Sequence, residues 1–234
     1  VTVMGCGGGG NVSFHYPAES MAFPRLGEDH PTLFVELVHD LRPATQREGQ
    51  GGLTTRRFPS DEHWDEPVTQ IYYQALVQDL TQTDLVAVVP LRSQADYVLE
   101  VDINHLGCKV SRSGAGYALT GLLGAGLGYV VGQSGGAAAA GALIGIGAIP
   151  VPTRLRAVCE VQLKVRDADG EPFFTETCLG EITKDTWEGI TSRKEQQWVD
   201  DYLTVAVKRA NACLLGQLRQ ALTDRAADAA SMEP

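Results

Sequence analysis

Leu155-Arg156-Ala157-Val158-Cys159-Glu160-Val161-Gln162-Leu163-Lys164-Val165 alternates between two classes of side chain along its length. Successive side chains of a strand point to opposite faces, so this alternation marks a strand with one buried and one wet face. Leu155, Ala157, Cys159, Val161, Leu163 and Val165 line one side, and Arg156, Glu160, Gln162, Lys164 and Arg166 the other. Asp167-Ala168-Asp169-Gly170 follows with turn chemistry, and residues 173 to 182 read as the strand that pairs back. Upstream, Ala95 to Val110 has the same period, with Tyr97, Leu99, Val101 and Ile103 against Glu100, Asp102 and Asn104.

Working outward, residues 33 to 41 and 85 to 89 read as further strands. A loop rich in Gly, Gln, Thr and Arg runs from Arg42-Pro43 to about residue 59. Pro67 opens a helix with Val68, Ile71, Tyr72, Ala75, Leu76 and Leu80 on one face. Ser192-Arg193-Lys194-Glu195 is a capping box for a last helix. Its apolar stripe runs through Val199, Leu203, Ala206, Ala210, Leu214, Leu218 and Ala221. The expected fold class is α+β, a small antiparallel or mixed sheet covered by two helices. Residues 223 to 234 are small and polar and read as a disordered tail.

Between the two long strands lies a different kind of sequence. Residues 113 to 153 contain no Asp, Glu, Lys, Arg or His. Gly124, Gly128, Gly132 and Gly136 recur every fourth residue, Gly121 precedes them, and Gly141 and Gly145 resume the spacing. On a helix, residues four apart share a face, and a row of glycines there lets another backbone approach closely. Ala115 to Val131 reads as one helix and Ala137 to Ile149 as a second, with Gln133-Ser134-Gly135-Gly136 as the turn and Pro150 and Pro152 as the stop. Their lengths, roughly 25 and 20 Å, are enough to enter or narrowly cross a thin bilayer. Lys109 and Arg112 before the segment, and Arg154 and Arg156 after it, put both ends on one side. Tyr117 and Tyr129 suit the two interfaces. The expectation is a glycine-zipper transmembrane helical hairpin inserted at residues 113–152. The alternative is a Gly/Ala-rich hairpin buried inside a soluble assembly.

Val3-Met4-Gly5-Cys6 resembles the end of a bacterial lipoprotein signal, in which the cysteine becomes the lipidated residue. The sequence reads as beginning inside such a signal, with Met4 in place of the usual small residue or Val. Cys6 is thus the expected lipidation site, and Gly7 to Gly10 a flexible tether. No Asp follows Cys6, which by the same resemblance favours the outer membrane. Gly5 to Gly10 also matches GxGxxG formally, but Asn11 to Pro17 lacks the helix that a dinucleotide loop needs. Four cysteines remain, and an exported context permits disulfides. Folding about the turn at 167–170 places Cys159 opposite Cys178, the geometrically attractive pair. Cys213, on the last helix, competes for either partner, and buried free thiols are the alternative.

The net charge of −10 argues against nucleic-acid binding. Catalytic signals are weak. His105 and Cys108 could be half of a metal site, but no second pair follows at ligand spacing. Asp61-Glu62-His63-Trp64-Asp65 reads as a solvated loop beside a helix N-terminus rather than an acid/base pair. Trp187, Trp198 and Tyr202 read as core or subunit contacts. No catalytic residue, metal or cofactor is expected.

Ala95-Asp96-Tyr97-Val98-Leu99-Glu100-Val101 is followed by Gly116-Tyr117-Ala118, then Gly124-Ala125-Gly126-Leu127-Gly128-Tyr129 and Gly141-Ala142-Leu143-Ile144-Gly145-Ile146-Gly147. With the strands and last helix beyond, this layout resembles the surface-exclusion (TraT-type) outer-membrane lipoproteins over roughly residues 32 to 222. The part outside the glycine segment is also similar to YajG-type and curli-secretion-type lipoprotein domains. These resemblances imply a lipid-anchored outer-membrane protein with a periplasmic domain that assembles as a ring. The four further cysteines and the 44–63 loop are not features of that family.

The expected organisation is a lipid-anchored tether at 1–31 and one α+β domain from 32–112 and 153–222, interrupted by the hairpin at 113–152. The expected function is a non-enzymatic cell-envelope lipoprotein forming a homo-oligomeric ring in outer-membrane lipid, with a structural or surface-exclusion-like role. The alternative is a secretion or transport pore, or its accessory lipoprotein. Glycine faces gain little from lipid alone, so contact between copies favours the ring.

Overall fold

A computed structural model of the chain describes residues 12, 14–17, 30–49, 51–52, 54–114, 151–187 and 192–232. Residues 115–150 of the expected hairpin lie outside the described residues, and its expected end at 152 is corrected, because Pro152 already belongs to a strand. Among the described residues, no helix is long and apolar enough to cross a membrane.

Strand β1 (Thr32–Asp40) is followed by a short helix α1 (Ala44–Arg47), strand β2 (Thr55–Phe58) and helix α2 (Val68–Thr83). A two-residue β3 (Ala87–Val88) precedes three strands of 16 residues each, β4 (Tyr97–Arg112), β5 (Pro152–Asp167) and β6 (Pro172–Trp187). The last helical region is α3 (Ser192–Trp198), a π-turn at Val199–Leu203, and α4 (Thr204–Met232). One mixed sheet has the order β3-β1-β4-β5-β6, and β2 joins the far half of β4. β1 runs parallel to β3 and β4, whereas β5 is antiparallel to both β4 and β6.

The alternation in β5 does what it implies. Leu155, Ala157, Cys159, Val161, Leu163 and Val165 are buried, with at most 1% exposure, beneath the two helices, while Val158 sits half-buried on the wet face. β4 carries Leu99, Val101 and Ile103 into the same layer and then slips by one residue at Asn104. This bulge changes the phase of the strand, so that Leu106, Cys108 and Val110 continue the buried row. α2 contributes Tyr72, Ala75, Leu76 and Leu80, and the last helix Ala206, Ala210, Leu214 and Leu218. Tyr72 to Leu80 and Val199 to Leu218 confirm the two expected stripes, while Ala221 is only half-buried.

The cysteine register differs from the simple hairpin expectation. Cys159 faces Gly180, Cys178 faces Val161, and Cys178 is bonded to Cys213. The left-handed Gly170 at the turn adds one residue to the β6 side. A second irregularity between Val165 and Arg166 adds another. Two extra residues preserve the inward face of Cys178 but move it away from Cys159. Cys159 and Cys108 are buried free thiols. At Gly180 a side chain would run into the Ala206 carbonyl oxygen and Ala210 nitrogen of α4, so helix and strand meet backbone to backbone there.

Three further expectations change. The 43–59 loop contains α1 and β2, whose Thr-Arg-Arg-Phe run has no apolar alternation and is defined by pairing with β4. Residues 223 to 232, expected as disordered, continue α4 as far as Met232. Phe14 to Pro17, inside the expected tether, are packed on the domain. Phe14 meets Trp64, and Gln78 Nε2 donates to the Pro17 carbonyl.

Candidate functional site

The site with the clearest functional consequence is the end of the sheet from which the charge-free segment departs. β4 and β5 remain paired to their tips, with Arg112 opposite Thr153. Ser113 N–H donates to the Pro152 carbonyl at 3.2 Å. The segment therefore leaves and re-enters the domain at adjacent points. In the next rows, Arg154 binds Asp185 through Nε at 2.8 Å, and Arg156 forks onto Glu181 with both contacts at 2.6 Å. Arg56 of β2 pairs with Glu195 of α3. Burial raises the Glu195 carboxyl above its ordinary value, against the opposing charges of Arg56, His63 and Arg112. Trp187, level with Pro152, is 70% exposed.

The three aromatic residues expected to act together are separated. Trp198 is buried against Phe58. Tyr202 is half-buried and accepts a hydrogen bond from Lys184 Nζ at 2.7 Å. Trp187 stands in the open.

The wet face of the sheet is a lattice of paired charges. Asp102 binds His39 Nδ1 at 2.9 Å and Lys164. Burial alone would raise the Asp102 carboxyl, but these two partners outweigh it and hold it below its ordinary value. His105 lies on this face near Glu160, 3.6 Å away, while Cys108 is buried on the other. An odd separation along a strand divides their side chains, so they do not form half of a metal site.

The 61–65 loop borders a cleft of about 480 Å³ lined by Arg42, Arg47, Trp64 and Pro67 among others. Asp61 is occupied by two guanidinium groups, Arg42 at 2.6 Å and Arg47 at 3.0 Å. Asp40 forks onto Arg42. Burial works against the Asp40 charge, and Arg42 overcomes it, leaving the carboxyl below its ordinary value. His63 Nδ1 contacts Ser60 Oγ. Asp61 of the loop and Asp40 of β1 thus anchor arginines. No group of three His, Cys, Asp or Glu able to hold a metal exists among the described residues.

A buried polar cluster was missed in the sequence. Asp79 is fully buried between α2 and α4, where Lys208 Nζ donates to it at 2.7 Å and Asn211 Nδ2 at 2.7 Å. Tyr16 also donates its hydroxyl to Asp79. Burial, then the bond to Asp79, drives the Tyr16 phenol far above its ordinary value. Tyr72 completes the cluster by donating to Asn211 Oδ1 at 2.6 Å. The available signal was an Asp on the apolar face of a helix, three residues after Leu76. These contacts hold the chain before the domain against its two main helices.

Cys6, Gly121, Gly124, Gly128, Gly132, Gly136, Gly141, Gly145, Tyr117 and Tyr129 lie outside the described residues. Burial pushes the Cys108 and Cys159 thiols well above their ordinary value, which suits packing and not nucleophilic chemistry.

No family model matches the chain, and no curated protein does. Among solved structures it is similar to a DUF330-family protein from Xanthomonas campestris, at 12% identity over 93% of this chain and 97% of that one, with a TM-score of 0.45. A neuraminyllactose-binding hemagglutinin homolog from Helicobacter pylori overlaps at 9% identity over 93% and 98%, also at 0.45. Lipoprotein GNA1162 from Neisseria meningitidis overlaps at 9% identity over 85% and 99%, at 0.29. Overlaps this weak assign neither a family nor a function.

Proposed function

We propose that this chain is a non-enzymatic lipoprotein of the bacterial outer membrane, anchored through Cys6, with its α+β domain in the periplasm. Copies of it form a ring, and residues 115–150 of each copy enter the membrane as a glycine-faced helical hairpin. The role is structural or surface-exclusion-like. The observation that carries this reading is the adjacency of Arg112 and Thr153 at the tips of β4 and β5. A segment without a charged residue leaves and returns at one point, as a hairpin entering a bilayer from one side requires. Glycines at helical spacing make helix–helix contact the favoured use of its faces. Thr120, Gln133 and Ser134 offer few polar groups to line a channel, which favours a sealed plug.

Imaging of the intact protein extracted in detergent tests this reading. Closed rings with a detergent belt beside the domain are expected. A monodisperse single chain that needs no detergent overturns it.

A further inference from the structure

We propose that the cleft of about 480 Å³ at the start of α2 binds a small zwitterion, the carboxylate of an amino acid or short peptide meeting its donors and the ammonium group meeting Asp65 and Glu66. This site is independent of whether residues 115–150 enter a bilayer. Its volume is that of a small-molecule site. Orphaned donors belong to its lining. The Arg42 side chain is 1% exposed and forks onto Asp40 through Nε and Nη2, with Nη2 also on Asp61. Its Nη1 is buried and has no partner among the described residues. Trp64, 7% exposed, likewise leaves its indole N–H without an acceptor. Buried donors in this state are rare and costly, and they call for an oxygen that the chain itself does not supply. Arg47 is half exposed and engages its carboxylate partners through Nε, on Asp61 at 3.0 Å. The first turn of α2 lines the same cleft. Gln70 N–H makes the first helical bond, to the Pro67 carbonyl, so the amides of Val68 and Thr69 precede the ladder. Pro67 brings no side-chain cap, and the first turn holds no acid. Such a terminus attracts a carboxylate.

Charge rules out a simple anion as the best ligand. Arg42 and Arg47 are balanced by Asp40 and Asp61, which leaves Asp65 and Glu66 among the lining residues. Both are exposed, and neither forms an ion pair among the described residues. Glu66 accepts only from the Gln74 amide, at 3.3 Å. Two unanswered carboxylates favour a cationic group beside them. A ligand that satisfies both sets carries acceptor oxygens and an ammonium group on one small frame, as an amino acid or dipeptide does.

Equilibrium dialysis of the full chain in detergent against radiolabelled L-alanyl-L-alanine tests this, with acetate, ethylamine and inorganic phosphate as competitors. Saturable binding of one dipeptide per chain is expected, with each competitor at least about tenfold weaker. Losing one hydrogen bond to a charged group should weaken the dipeptide about tenfold in Arg47→Gln, and Trp64→Phe, which keeps the ring and removes the N–H, should act in the same direction. Asp65→Asn with Glu66→Gln should weaken the dipeptide yet make acetate a better competitor, a change of opposite sign that damage to the fold would not give. Arg47, Asp65 and Glu66 are exposed, so these variants should keep the parent's thermal midpoint. Phosphate or acetate that competes as well as unlabelled dipeptide overturns the zwitterion and leaves a plain anion site. Dipeptide affinity unchanged in both Arg47→Gln and the Asp65–Glu66 double variant overturns the placement in this cleft. Absence of saturable binding at millimolar dipeptide overturns the site.

Discussion

Gly180 of β6 lies directly beneath Ala206 of α4, with no room between them for a methyl group. The contact brings the edge strand and the longest helix together along their backbones, and the Cys178–Cys213 disulfide closes the same interface. Gly180→Ala would force the helix off the sheet and should cost about 3 kcal/mol, the upper range for overpacking. Urea denaturation measures it; a midpoint within error of the parent would show that α4 is free to shift.

The disulfide spans 35 residues. In the chain-entropy description, a loop of this size contributes about 4 kcal/mol by restricting the unfolded chain. The Cys178→Ala, Cys213→Ala double variant should therefore unfold at distinctly lower denaturant, and reductant should lower the parent toward it. Cys108 and Cys159 should resist a maleimide in folded Cys6→Ser protein and react once guanidinium exposes them. Rapid labelling of native protein would contradict the burial of both thiols.

The Asp79–Lys208 pair offers a third test. Removing the cation in Lys208→Ala leaves a carboxylate buried with neutral partners only, and loss of one member of a buried pair costs about 3 kcal/mol or more. Replacing both, as Asp79→Leu with Lys208→Met, should recover much of that loss. Tyr16→Phe should keep the core but hasten proteolysis around residues 14–17. Equal protection in parent and variant would show that Tyr16 does not hold this stretch in place.

What could be read from the residues alone follows a physical division. β5 and α4 were legible because burial on one face imposes a period, and Leu155 to Val165 displays it with Val158 as the single apolar residue on the wet face. The partner of Cys178 was not legible, because it depends on two extra residues near the turn that alternation does not record. β2 was hidden for a related reason: Arg56 and Arg57 carry no apolar pattern, and the strand exists through pairing with β4. Asp79 was the reverse case, where a charge on an apolar stripe signalled a partner without saying which one. The prominence of Trp187 could not be foreseen, since an indole near a helix reads equally well as core.

Acid should destabilise the domain through Asp40 and Asp102. Their folded values lie below the ordinary 3.8 because of Arg42 for Asp40, and Lys164 and His39 for Asp102. A depressed carboxyl contributes stability that is complete above its unfolded value and disappears as pH falls through the folded one. The denaturant midpoint should therefore drop below about pH 4, and Asp102→Asn should lower the neutral-pH midpoint while flattening that slope. A slope unchanged in both Asp102→Asn and Asp40→Asn would assign the acid transition to other groups.

The last prediction concerns whether the domain needs the segment at all. Arg112 pairs with Thr153, and Ser113 bonds to Pro152, so the β4–β5 ladder is complete before residue 114 and after residue 151. Two antiparallel strands in that relation can be joined by a two-residue turn, for which Asn-Gly has the required left-handed backbone. Replacing residues 114–151 with Asn-Gly should give a folded protein with the parent's disulfide and nearly its thermal midpoint. It should remain in solution without detergent and run as a smaller particle. In the full chain, Gly128→Leu with Gly132→Leu should instead leave the domain intact and break the oligomer. If the shortened protein fails to fold, the segment belongs to the core. If the leucine variant migrates with the parent on native gels, the glycine faces do not hold the copies together.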